Sequence, residues 1–572
     1  MTFAVKSIIC LLACAAVFMA SAQPKISGKV SGGFQAPSSM DEQGRRHVLK
    51  GSSGEQRGNN LWELTDPSVT SYNADDSPEL FIESPRCFFQ MKEKVAYSDA
   101  TLTVRRADGR FSLQGEGWRW EGEGPHLFIS NNVVALMQKS ILATNTSSAA
   151  AATNVPVRIT SRSFEQQGDN ASFIGSVLVV DGPDTLRCDR LNLKITRPEG
   201  LRTIEAIQNV ELKQGDTIVT SGHATYDLQE EVIRITEHPK WSSEGRSGSA
   251  ELLVFNRGEG TLSADGMVYM KFPLTNVATS AETAADQSSA SGTNRFLEVY
   301  SEEFRFAERN SNRLASARYD GNVRVHYTDA SISSAVLTVH FDATNRIRFI
   351  TAATNVVVES KGSKAFGERA QYELKDDKIV LSGNPHWEIE ESRGNSDILV
   401  FYPKTKEVHA LHDVEMILPG QSAGGMLGLP NSPKKPEAAS VPTIIRSEMF
   451  SRGTNVAVFH DNVVVADARG RLSCDMVTVV TGASNQVQRI IAEKNVLLEQ
   501  EGLTARGEHA DYNVATGMVR LTGNPELVSE GRTLRAEAFL IDRNKNTFSV
   551  SPGRYRIEIP VKSGSNPFNS KP

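Results

Sequence analysis

Catalysis or metal binding would need histidine, cysteine or carboxylate side chains at spacings that bring them together, and this 572-residue sequence offers few such sets. Its 11 histidines are scattered. His223 and His509 fall at related points of two similar stretches, but the third stretch has Arg369 nearby, so no ligand set forms. Past the N-terminal segment the cysteines are Cys87, Cys188 and Cys474, without the short pair spacings of zinc or redox sites. Cys188 and Cys474 occupy matching positions where a third stretch has Ser334, which points to a small buried side chain; an intermolecular disulfide is the alternative. Carboxylates lie on the polar parity of strands or in turns, where solvation or pairing explains them. With no nucleophile elbow, phosphate-cradling glycine loop or HExxH set, no catalytic residue, metal or cofactor is expected. A net charge of -6 argues against a nucleic-acid partner. Trp118 and Trp120 share a strand face, while Trp241 and Trp387 stand two residues past a proline, where a third stretch has Leu527. Packing is the expectation for both of the latter, and lining a ligand groove the alternative.

The elements that would hold these residues show themselves as repeats. A polar-Val pair recurs at Ser176-Val177 and Asn209-Val210, at Asn322-Val323 and Asn355-Val356, and at Asn462-Val463 and Asn495-Val496. The second pair of each stretch is followed by Gly222, Tyr226 and Pro239, by Gly367, Tyr372 and Pro385, and by Gly507, Tyr512 and Pro525. The offsets are shared: 33 residues between the pairs, 17 from the second Asn to Tyr, and 13 from Tyr to Pro. Asn209, Gly222, Pro239, Asn355, Gly367, Pro385, Asn495, Gly507 and Pro525 are therefore read as structural turn positions. Between them the pattern has period two. Val177 with Val179, Val210 with Leu212, Val323 with Val325, Val356 with Val358, Val463 with Val465, and Val496 with Leu498 face one way, with polar residues between. No sustained 3.6-residue periodicity appears past the N-terminus, so the expected class is all-β, with about eight to ten short strands per repeat.

Lys6, the apolar stretch Ser7–Ala20 and Ala20-Ser21-Ala22 read as a signal peptide over 1–22, with acylation at Cys14 or a retained anchor as alternatives. The expected organisation is a flexible segment at 23–60, a divergent N-terminal β module or cap at 61–138, and repeats at 156–273, 296–419 and 444–560. Ser/Thr/Ala-rich and Gly/Pro-rich segments at 274–295 and 420–443 read as linkers, and 561–572 as a flexible tail.

The order Asn-Val, alternating strand, Gly-x-x-Ala-x-Tyr, strand, Gly-Asn-Pro resembles the OstA-like or LptA-like periplasmic lipopolysaccharide-transport domain. It is plain from Asn355-Val356 through Gly367, Ala370, Tyr372 and Gly383-Asn384-Pro385, and from Asn495-Val496 through Gly507, Ala510, Tyr512 and Gly523-Asn524-Pro525. In the first repeat Gly222, Ala224 and Tyr226 stand closer together, and Glu237-His238-Pro239 replaces Gly-Asn-Pro. The resemblance implies tandem folded-over β-jelly-roll (β-taco) modules, stacked or linked end to end, in the periplasm. It implies that the twelve alternating Val and Leu residues named above line a groove for the acyl chains of lipopolysaccharide or a related glycolipid. It further implies an inner-membrane lipid-export complex and an outer-membrane assembly protein as partners, with edge-to-edge self-association through open strands. A β-rich envelope scaffold with a dry interior is the competing reading.

Overall fold

The computed structural model describes residues 29–35, 39–40, 46–73, 75–121, 126–138, 156–196, 200–243, 245–273, 296–307, 315–327, 330–342, 347–360, 363–389, 392–419, 442–468, 470–482, 487–529, 531–542, 545, 547–550 and 556–558. The segment read as a signal peptide with Cys14, that read as a linker at 274–295, nearly all of that at 420–443 and the stretch read as a tail at 561–572 lie outside the described residues. Every regular element among the described residues is a strand, and the strands pair antiparallel. The chain forms two compact units, Met1–Pro273 with Tyr300–Glu308, and Leu274–Val299 with Arg309–Pro572.

Two expectations change here. Lys29–Gln35 and Arg46–Gln56, inside the segment read as flexible, form a paired ladder. Its glycines serve packing, since Phe34 lies close over Gly51 and any side chain there would meet its ring. The Asn-Val steps also fail to separate short strands. Asn209 lies inside Gly200–Gln214, Asn355 inside Ile347–Ser360 and Asn495 inside Val487–Gln500. Gly222, Gly367 and Gly507 likewise sit within Thr217–Asp227, Ser363–Glu373 and Leu503–Asn513. Pro239, Pro385 and Pro525 do follow tight turns, each behind two residues of positive φ.

The Asn positions are creases. Gln208-Asn209, Thr354-Asn355 and Lys494-Asn495 each hold two successive left-handed residues, as do Gly175-Ser176, Gly321-Asn322 and Asp461-Asn462. The register skips there and then resumes, for example between Ile207 and Val210 or Ala353 and Val356. Two left-handed residues redirect a strand as a turn does, but the neighbouring ladders continue on both sides, so the strand bends without ending. Asn suits this conformation because its short amide can bond locally. Asn209 Nδ2 donates to Asp189 at 2.7 Å and Asn495 Nδ2 to Asp475 at 3.0 Å.

Across each crease the partner strand carries a small hydrogen-bond donor. The hydroxyls of Ser301, Ser334, Ser396 and Ser447 donate to the carbonyl two residues on at 2.9–3.0 Å, and the Cys474 thiol does so at 3.4 Å. The bend takes these carbonyls out of the regular ladder, and the side chain supplies the missing bond. We expect Asn355→Gly to be tolerated and Asn355→Val to lower stability by about 1–2 kcal/mol, the cost of a left-handed β-branched residue. Urea unfolding of the two variants checks this.

Because the sheet bends while the same face is buried before and after the crease, its two arms must fold toward one another. Val356 is 0% exposed on one arm and Ala352 is 3% exposed on the other. Hydrogen bonds join the second repeat to the third. Glu407–Leu418 pairs with Thr443–Arg452, and Leu418 is the register partner of Thr443, so the two strand ends flanking the Gly/Pro-rich segment lie side by side in the sheet. Met137 and Val157 bracket the earlier Ser/Thr/Ala-rich segment in the same way.

Candidate functional site

The inward face is organised in rows that run across the strands, parallel to the crease. In the first unit one row passes by register pairs from Val104 through Ala135, Val179, Leu212 and Trp241 to Met270. In the second unit a comparable row runs from Val325 through Val358, Trp387, Val465 and Leu498 to Leu534. Neither row contains a charged residue. All twelve alternating Val and Leu residues therefore lie on the inward face and on one arm. Val177, Val210, Val323, Val356, Val463 and Val496 stand directly after a crease and are 0–2% exposed. Val325, Val358 and Val465 are buried one step further out, while Val179, Leu212 and Leu498 are half-buried.

Register pairing also realigns the first repeat. The residue opposite Val356 is Gly367 and that opposite Val496 is Gly507, but Val210 faces Ser221, not Gly222. Ser221-x-x-Ala224-x-Tyr226 thus has the spacing of Gly367-x-x-Ala370-x-Tyr372, and the apparent contraction disappears. Val177, Val323 and Val463 face Cys188, Ser334 and Cys474. This interchange reflects a shared need for a compact donor at the crease as well as space.

The facing arm was not singled out from the sequence, yet it supplies half of the interior. Its row next to the crease in the second unit runs from Tyr319 through Ala352, Ala410 and Ala492 to Phe539 without a charged residue. A repeated Ser-x-x-Phe marks it: Ser161 with Phe164, Ser301 with Phe304, and Ser447 with Phe450. All three phenylalanines are buried. Phe450 packs at a tilt of 39° against Phe459 with centroids 4.8 Å apart and stacks, from the opposite arm, on Trp387 at 6.3 Å with the rings 8° from parallel. Trp241 and Trp387 lie flat over Gly248 and Gly394, where any side chain would overlap the indole. The third repeat replaces that pair by Leu527 and Leu534, again in register.

The reactive residue types are occupied elsewhere. Burial pushes the Cys87 thiol up to about 12 and those of Cys188 and Cys474 to about 11, so all three are protonated at neutral pH and poor nucleophiles. They are free and buried. Ser334→Cys is expected to be tolerated, whereas Ser334→Ala should cost about 0.5–1.5 kcal/mol, the worth of the lost hydrogen bond; thermal unfolding of both variants measures this. His223 belongs to a polar ladder on the outward face. Its Nε2 meets Glu205 Oε1 at 2.9 Å and its Nδ1 meets Thr236 at 3.2 Å, while Asn192 donates to Glu205 at 2.9 Å. Those contacts, Asn192 first, hold the Glu205 carboxyl below its usual range. Among the described residues no three His, Cys, Asp or Glu side chains converge as a metal site, and no helix is long and apolar enough to cross a membrane.

Comparison with known proteins gives two findings. The family described as LptA/(LptD N-terminal domain) LPS transport protein matches residues 158–261, 298–407 and 447–547, together more than half of the chain. A solved structure, that of LptH, the LptA-homologous periplasmic component of the lipopolysaccharide transport device from Pseudomonas aeruginosa, is similar at 18% identity. The match covers 20% of this chain and 81% of that one, with a TM-score of 0.18. No curated protein matches.

Proposed function

Since the chain belongs to the LptA/LptD N-terminal-domain family of LPS transport proteins, we propose that its creased sheets hold the acyl chains of lipopolysaccharide or a related glycolipid and pass them between inner and outer membranes. The observation carrying this reading is the inward face: within each unit apolar rows run along the crease, and hydrogen-bonded strands carry them from the N-terminal module into the first repeat and from the second repeat into the third. Such a face recognises hydrocarbon without chemical discrimination, each buried CH₂ contributing about 0.8 kcal/mol. In this reading the protein works in the periplasm as a non-enzymatic carrier. Repeats 156–273, 296–419 and 444–560, which contain the matched stretches, act as successive stations. The twelve Val and Leu residues line one wall. An inner-membrane export complex would deliver lipid, an outer-membrane assembly protein would receive it, and open edge strands offer the contact to both.

The competing reading, a dry scaffold, predicts no cargo. Photo-crosslinking residues placed one at a time at Leu212, Val358 and Leu498, followed by native mass spectrometry of the full-length chain from its envelope, separates the two. Glycolipid adducts at all three, and none from outward-facing Thr225, are expected. Clean apo masses with no uptake of added lipopolysaccharide would remove the transport reading.

A further inference from the structure

The inward face of the first unit carries a polar interruption between apolar neighbours. In the second row from the crease, Trp120 pairs with Leu127 and Leu127 pairs with Gln166. Strands two apart in a sheet lie about 10 Å apart, so the indole and the amide flank the leucine on the same face. Trp120 is 1% exposed and Gln166 4%. The Trp120 Nε1 and both amide atoms of Gln166 find no hydrogen-bond partner among the described residues. The contrast with the next row is direct: there the Trp118 indole donates to Ser84 Oγ at 3.2 Å. Nor does the fold require an amide at this place. Five residues after the Ser of each Ser-x-x-Phe, the other repeats have Phe306 and Arg452.

Buried polar atoms without partners are costly, and a binding face that keeps three of them is shaped for a ligand that completes them. The indole offers one donor; the glutamine amide offers two donors and an acceptor. The complement is an apolar chain interrupted by a group that both accepts and donates. We infer that Trp120 and Gln166 form a polar subsite within the lipid-binding face that selects acyl chains joined through an amide, Trp120 Nε1 donating to the acyl carbonyl and Gln166 Oε1 accepting the amide N–H. This rests on the lipid-binding reading above. An ester-linked chain would keep the first bond and lose the second.

The test uses the full chain with two matched probes, N-dodecanoyl-glucosamine and the corresponding dodecanoyl ester of glucose, in competition by calorimetry and native mass spectrometry. Wild type is expected to favour the amide by about fivefold, the effect of one hydrogen bond. Gln166→Leu should bring the ratio to about one while retaining both probes, and should not lower the unfolding midpoint. Trp120→Phe should weaken both probes alike and leave the ratio unchanged. A wild-type ratio near one, or a preference that survives in Gln166→Leu, overturns the subsite while leaving lipid binding intact. Failure of wild type to bind either probe overturns both.

Discussion

Val356→Asp is expected to lower stability by about 3–5 kcal/mol at pH 7, the cost of an uncompensated charge in an apolar interior. Val356 is 0% exposed, stands directly after the Thr354-Asn355 crease and faces Gly367, so the chain offers no counter-charge across that register pair. The pH dependence gives the test its sign. Burial raises the carboxyl pKa in the folded state above its unfolded value of about 3.9, so the penalty is smallest below pH 4 and grows as pH rises toward the folded value. Val356→Asn, which places a neutral polar group at the same point, should show no such trend. Urea unfolding of both variants at pH 3.5 and pH 7 is the measurement. A pH-independent gap between them would mean that Val356 contacts water, contrary to a closed crease. A loss of lipid uptake by a Val356 variant is informative only alongside this measurement, because unfolding alone would produce it.

Legibility in the sequence followed the physics of each feature. Period-two alternation exposed the all-β class and one inward wall, because Val-x-Val after a crease survives in every repeat. The wall opposite was hidden because its residues are small or mixed, with Ala352, Ala410 and Ala492 alongside Phe450 and Phe459, and alanine carries almost no periodic signal. Left-handed Asn pairs looked like turns because a crease and a turn require the same backbone conformation, and only the register shows that the strand continues. For the same reason Gly222 was aligned with Gly367, although the residue opposite Val210 is Ser221. The polar subsite had no signal to offer: Gln166 follows Glu165 and precedes Gln167 on a short strand, and its parity becomes meaningful only once Leu127 is placed beside it. Ser-x-x-Phe, by contrast, was visible in all three repeats and would have located the second wall.

Trp387 and Gly394 provide the other large expected effect. Gly394→Leu alone should be severely destabilising, by about 3 kcal/mol or more, because the new side chain would occupy the space of the indole lying over Gly394. Trp387→Leu alone should cost about 2–3 kcal/mol by opening a cavity and removing the stack on Phe450. Combined, they recreate the Leu527 and Leu534 pair that the third repeat already holds in the same register. The double variant should recover most of the loss, giving a coupling of about 2 kcal/mol or more, within the range measured for residues in direct contact. The reciprocal exchange sharpens the inference, since Leu527→Trp should be tolerated only together with Leu534→Gly. Unfolding midpoints for the four single and two double variants decide it. Simple additivity would show that the two repeats use different interiors. Strong coupling in both directions would show that one packing rule, a large residue over a small one or two of middle size, governs the wall along which the proposed cargo moves.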